Sequence, residues 1–136
     1  MDIDKTTQDK MIEQAKKSYQ NAYAPYSKFH VGASILTSHN DIVSGCNVEN
    51  ASYGLTICAE RNCIAQAINQ GEQRFEMLVI YTQEEKLTPP CGACRQVILE
   101  FFKPDAMVMA VNHHNDSKVW SVADLLPDAF TTQHLT

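Results

Sequence analysis

The sequence predicts an α/β fold, a small mixed sheet with helices on its faces. Three observations lead there. An amphipathic helical pattern opens the chain, a period-two hairpin pattern follows it, and two continuous apolar runs further on flank a helix bracketed by prolines. That last strand–helix–strand unit requires parallel strands joined by a right-handed crossover. With 136 residues, positions 1–136 read as a single domain large enough to bury a core without disulfides.

Each element follows in order. Residues 6–22 read as a helix, with Met11, Ile12, Ala15, Tyr19 and Ala22 at helical spacing, Thr6 as its cap and Pro25 just beyond its end. In "FHVGASILT", Phe29, Val31, Ala33 and Ile35 alternate as on a half-buried strand. The polar "SHND" and a second strand, "IVSGCNV", complete a hairpin over 29–48. A helix of about 13 residues starts near Cys58 and stops at Gly71. "EMLVIYT" is an apolar strand of the kind buried on both faces. "PPCGACRQVILEFFKP" predicts a helix over 92–102 with Val97, Ile98, Phe101 and Phe102 inward, and "AMVMAV" is a second fully apolar strand. A short strand near Lys118–Val122 and a helical turn at "VADLLP" close the chain.

Composition narrows the function classes. The formal net charge is −5 and the Lys and Arg residues are scattered, with no cluster beyond Lys16–Lys17. A protein that grips a nucleic-acid backbone needs a basic stripe, so polynucleotide binding is disfavoured. The opening "MDIDKTTQDK" lacks the apolar segment of a signal peptide, and no apolar run approaches the roughly 20 residues that span a bilayer. The expectation is a soluble, cytoplasmic protein with neither a membrane nor a nucleic-acid partner. Five cysteines, an odd number with one C-x-x-C pair, then read as metal ligands or redox groups before disulfides.

The chemistry gathers at two predicted helix starts, one at Cys58 and one carrying Cys91 and Cys94. Unpaired N–H groups and the helix dipole favour thiolates there. If the helices begin side by side, three thiolates converge, and three protein ligands with one open position define a catalytic zinc site. Cys63 lies five residues after Cys58, about 140° round the helix, and faces elsewhere. Cys46, on the second strand, is read as a packing residue, although geometry leaves it open as a fourth ligand. Glu60, at the helix entrance, is placed to take a proton from zinc-activated water and deliver it elsewhere. Arg61 offsets the negative charge that three thiolates place around a divalent cation. A thioredoxin-like role for "CGAC" leaves Cys58 and Glu60 unexplained, and Pro89–Pro90 stand where an aromatic residue is usual. His113 and His114 are read as surface hairpin residues and Trp120 as core or interface.

"CAER" together with "PPCGACRQ", flanked by "APYSKFHVGA", "GCNVENASYG" and "DLLPDAF", resembles the zinc-dependent cytidine deaminases over nearly the whole chain, specifically the short homotetrameric form. The resemblance implies a three-layer α/β/α fold with a sheet of about five strands. It implies hydrolytic deamination of cytidine and 2′-deoxycytidine to uridine and 2′-deoxyuridine, with release of ammonia, in pyrimidine salvage. One Zn2+ per subunit would be held by Cys58, Cys91 and Cys94, with Glu60 catalytic and Arg61 supporting. Asn47 and Glu49 would bond the ribose 3′-hydroxyl, Phe29 would pack on the pyrimidine, and the backbone at Ala59 would fix the base edge. Phe130 would be lent across a subunit contact in a homotetramer with shared active sites. Ile57 and Cys63 depart from the usual pattern without touching the proposed chemistry. A deaminase of nucleoside antibiotics, a polynucleotide editor and a zinc-stabilised interaction module are the competing readings. The first is answered by "NVEN", the second by the acidic charge, and the third by the vacant ligand position beside Glu60.

Overall fold

The computed structural model describes residues 3–135. Helix α1 spans Lys5–Gln20. Its cap is Asp4 rather than the expected Thr6, because Asp4 is extended and its Oδ1 accepts the Thr7 N–H at 2.8 Å. The helix also ends before Ala22, since Tyr23 is drawn into a bridge with Val48. Strands β1 (Gly32–Thr37) and β2 (Ile42–Cys46) form the expected antiparallel hairpin, with Ser34 opposite Ser44. Helix α2 (Ala59–Asn69) ends where Gly71 takes φ +96°, a conformation that favours glycine. Strand β3 (Phe75–Thr82), helix α3 (Gly92–Phe101) and strand β4 (Phe102–Asn112) form the predicted unit, and β3 pairs with β4 in parallel. Strand β5 (Ser117–Ser121) and the one-turn α4 (Val122–Leu125) follow.

The five strands form one sheet in the order β2-β1-β3-β4-β5, and every pairing except β3–β4 is antiparallel. Helix α1 covers one face, where Met11 and Ala15 pack against Leu36, Met77, Val79 and Val111. Helices α2, α3 and α4 cover the other face through Ile64, Ile98 and Leu125, packed on Ile35, Leu78, Ile80 and Val108. This is the three-layer α/β/α arrangement. It also explains why all six residues of β1 are buried, where alternation predicted a half-buried strand. With β2 and β3 on its flanks and helices above and below, β1 has no face left for water. The alternation marks which helix layer each side chain meets.

Close packing of α1 on β1 is set by Gly32. A Cβ there would lie 2.0 Å from the Ala15 carbonyl oxygen and 2.7 Å from the Tyr19 nitrogen, both backbone atoms that cannot swing aside. Nearby, the buried Ser34 hydroxyl donates to the Met11 carbonyl at 2.7 Å. Gly32→Ala is therefore expected to destabilise the chain by about 3 kcal/mol through overpacking, measured as a lowered urea midpoint with an unchanged slope. Gly45 does the same for α2, as a Cβ there would meet the Cys63 backbone nitrogen at 2.8 Å. No helix among the described residues is long and apolar enough to cross a membrane.

Candidate metal centre and substrate cavity

Cys58 is the N-cap residue of α2 and Cys91 the N-cap residue of α3, and neither side chain caps its own helix. Both sulfurs are thus free to face outward from a helix start, where the first backbone N–H groups and the dipole favour negative charge. Cys94, in the first turn of α3, is buried. The three sulfurs all lie within 4.8 Å of one another. Cys58 Sγ and Cys91 Sγ are 3.7 Å apart, far beyond a disulfide. Two thiolates at about 2.3 Å from a tetrahedral ion are separated by about 3.8 Å, so the donor set fits zinc in both chemistry and spacing. Cys63 points away, its buried thiol donating to the Val43 carbonyl at 3.0 Å, and burial pushes its pKa up. Cys46 does not join the cluster.

Charge at the cluster is uneven. The Cys58 thiol is lowered to about 5, first because Cys94 hydrogen-bonds to it and then because Arg61 and Cys91 do. The Cys94 thiol moves upward, as the donor to Cys58 and as a buried group. Arg61 Nη2 lies 3.5 Å from Cys58 Sγ, while its buried Nε has no partner. The guanidinium is held firmly charged by that thiolate. Glu60 is buried and pushed up to about 7, chiefly by burial, with the Cys58 charge adding to the effect.

Beside the sulfurs lies a cavity of about 360 Å³, within the range of small-molecule sites. Cys58, Ala59, Glu60 and Cys91 line one end, and Phe29, Asn47, Glu49 and Tyr53 line the rest with Ser27, Val31, Thr56, Thr88 and Pro89. "NVEN" reaches it through a short ladder. Val48 exchanges backbone bonds of 3.0 Å with Ile57, while the Asn47 carbonyl accepts from Tyr23 and the Glu49 N–H donates back to Tyr23. Alternation along this extended stretch buries Asn47 and Glu49 and exposes Val48. The same ladder delivers Ile57, and hence Cys58, to its place.

The Glu49 carboxylate is held below the usual carboxylate range, mainly by the Ser27 hydroxyl, with the Ser27 and Tyr26 N–H groups and Tyr53 assisting. Asn47 is partly occupied with structure. Its Oδ1 accepts the Val31 N–H at 3.0 Å and its Nδ2 donates to the Phe29 carbonyl at 2.8 Å. It thereby fixes the segment carrying Phe29, which precedes β1 instead of lying in it. One hydrogen and one lone pair of the amide stay available to a ligand.

Phe130 is absent from this cavity. It is exposed on another surface, where its ring stacks on His134 at 5.3 Å and Gln96 bonds its carbonyl. Sequence reasoning did not single out Thr56, whose buried hydroxyl has no partner and which lines the cavity. Nothing in "LTIC" marked it. Arg95 was also missed. It donates to the Pro90 carbonyl at 2.8 Å and the Leu125 carbonyl at 2.9 Å, tying the entrance of α3 to α4. Its position just after the C-x-x-C pair was the available signal.

Fold and site together define a class: an α/β chain with three convergent sulfurs, compatible with zinc, at two adjoining helix starts and a buried acid beside them. The sequence pattern described as the cytidine and deoxycytidylate deaminase zinc-binding region matches residues 5–111. The chain is 42% identical over 128 residues to a cytidine deaminase of Sporosarcina psychrophila, covering 94% of both proteins. It is 39% identical over 125 residues to a cytidine deaminase of Halalkalibacterium halodurans, covering 92% of this chain and 95% of that one. A crystal structure of a cytidine deaminase from Burkholderia pseudomallei superposes with a TM-score of 0.86 at 45% identity, over 90% of this chain and 98% of that one. The chain belongs to the cytidine and deoxycytidylate deaminase family and is a hydrolytic deaminase.

Proposed function

We propose that this chain, as one domain over residues 1–136, converts cytidine and 2′-deoxycytidine to uridine and 2′-deoxyuridine, releasing ammonia. One Zn2+ per subunit would be held by Cys58, Cys91 and Cys94. The observation that carries this reading is the placement of a buried carboxylate, Glu60, beside three convergent sulfurs at the end of a nucleoside-sized cavity. Bound there, zinc would supply the Lewis acidity that lets water lose a proton near neutral pH.

The chain's own residues do the rest. Glu60, whose burial brings its pKa near neutrality, takes one proton from water and passes it to the ring nitrogen beside the reacting carbon. It then takes the second proton from the hydroxyl added to that carbon, which becomes the carbonyl, and delivers it to the amine as the C–N bond breaks and ammonia leaves. Cys94, and after it Arg61, favour the thiolate form of Cys58. Phe29 offers an apolar wall to the pyrimidine and the backbone at Ala59 a polar contact for the base edge. Glu49, ionised and fixed by Ser27, Tyr26 and Tyr53, accepts from the ribose 3′-hydroxyl with Asn47 beside it, and its charge repels a 3′-phosphate. That preference, with the net charge of −5, supports a free nucleoside over a polynucleotide. That substrate supports a place in pyrimidine salvage, which we propose to be cytoplasmic.

Glu49→Gln removes the acceptor charge, and kcat/KM for cytidine is expected to fall about 10- to 100-fold, the worth of one charge-assisted hydrogen bond. The same variant should treat 3′-deoxycytidine almost as the parent does, and an equal loss on both substrates would refute the assignment. The exposed Phe130 supports a homotetramer in which each cavity is covered by a neighbour's ring. Sedimentation is expected to give a tetramer, with Phe130→Ala raising KM at unchanged zinc content, and a fully active monomer would contradict this. The direct test of the function is ultraviolet monitoring of cytidine with the zinc-loaded chain. No conversion to uridine would overturn it.

A further inference from the structure

Two groups of metal-ligating side chains converge among the described residues, and the second has no part in the chemistry above. It comprises Glu85, His113 and His114, whose ligand atoms all lie within 4.8 Å of one another. We propose that these three side chains form a second, surface metal site that takes a borderline divalent cation of the cobalt–nickel–copper–zinc group.

The site draws on two loops distant in sequence. Glu85 lies between β3 and α3, and the histidines sit at the tip of the β4–β5 hairpin. Asn112, fully buried, joins them. Its Nδ2 donates to the carbonyls of Glu84 and Glu85 at 3.1 and 3.2 Å, and its Oδ1 accepts the N–H groups of His114 and Asp116. Asn115 takes φ +64° and its N–H closes the turn onto the Asn112 carbonyl. The backbones under the ligands are thus held before any ion arrives. His114 Nε2 already stands 3.1 Å from Glu85 Oε1, and the two imidazole rings lie side by side with centroids 3.9 Å apart.

The chemistry selects the ion. Two imidazoles and one carboxylate suit zinc and its neighbours, whereas magnesium and calcium require more oxygen donors. All three residues are exposed, so water can complete the coordination. With no thiolate in the set, this site is expected to hold zinc more weakly than the three sulfurs do and to empty first under a mild chelator.

The test uses the full-length, tag-free chain already loaded with one zinc per subunit and titrated calorimetrically with further Zn2+. One additional equivalent is expected, with the imidazole nitrogen resonances of His113 and His114 shifting and those of His39 and His134 unmoved. The double variant His113→Ala/His114→Ala should lose this equivalent. Glu85→Gln should weaken it by at least about tenfold, and His39→Ala and Cys46→Ser should leave it intact. No uptake beyond the first equivalent overturns the proposal. So does uptake that survives the double variant, is indifferent to Glu85→Gln, or vanishes with Cys46→Ser. The thiolate centre is separable from this result, since its zinc is the first equivalent and depends on Cys91.

Discussion

Glu60→Gln is expected to lower cytidine turnover by about 10²–10⁴-fold, the usual contribution of a positioned acid–base group, while zinc content and fold persist. The amide keeps the volume and most of the hydrogen-bonding capacity of the carboxylate but cannot take the proton from water or return it. Stability should hold or rise, because burial already disfavours the charge on this side chain. The measurements are steady-state turnover, metal analysis and a thermal midpoint on one preparation. Loss of activity with full zinc and an unlowered midpoint places the defect in proton transfer. Near-normal turnover would remove Glu60 from the mechanism.

Withdrawal of the metal is the second large effect. Chelation, or Cys91→Ala, is expected to take zinc from one equivalent per chain toward none. Turnover should fall on the order of a thousandfold or more, as a Lewis acid contributes several kcal/mol at the transition state. Cys91 is the suitable sulfur to change because it is exposed and its side chain makes no capping hydrogen bond to α3, so the core survives its loss. Cys94 is buried, and replacing it mixes packing with ligation. Metal analysis beside the ultraviolet assay reads both effects, and restored zinc should restore the chelated parent but not the variant. A Cys91→Ala chain with full zinc and ordinary turnover would exclude the three-sulfur centre.

Much of this architecture is legible in the chain because it is locally encoded. Apolar periodicity placed α1, the β1–β2 hairpin, α2 and the β3–α3–β4 unit close to their final limits, since a helix or strand shows its buried face at a fixed repeat. The C-x-x-C spacing likewise puts Cys91 at the cap of α3 and Cys94 in its first turn, a relation set by helix geometry. Boundaries were less legible. Asp4 displaced Thr6 as the cap of α1 because its own carboxylate reaches the Thr7 N–H, and Phe29 fell outside β1, where distant Asn47 holds its segment.

Residue type and short-range order could name the thiols, the acid and the arginine, yet they could not bring Cys58 within 3.7 Å of Cys91 across 33 positions. That meeting depends on two helices starting side by side on one face of the sheet. Register and packing also turned Asn47 partly into a brace for the Phe29 segment, surrounded Glu49 with donors, and left Phe130 outside the cavity of its own chain. They placed His113 and His114 on the exposed tip of the β4–β5 hairpin, as their pattern implied, and carried Glu85 to them. Local spacing states which atoms share a face. Only the balance of burial and backbone bonding over the whole sheet decides which faces meet.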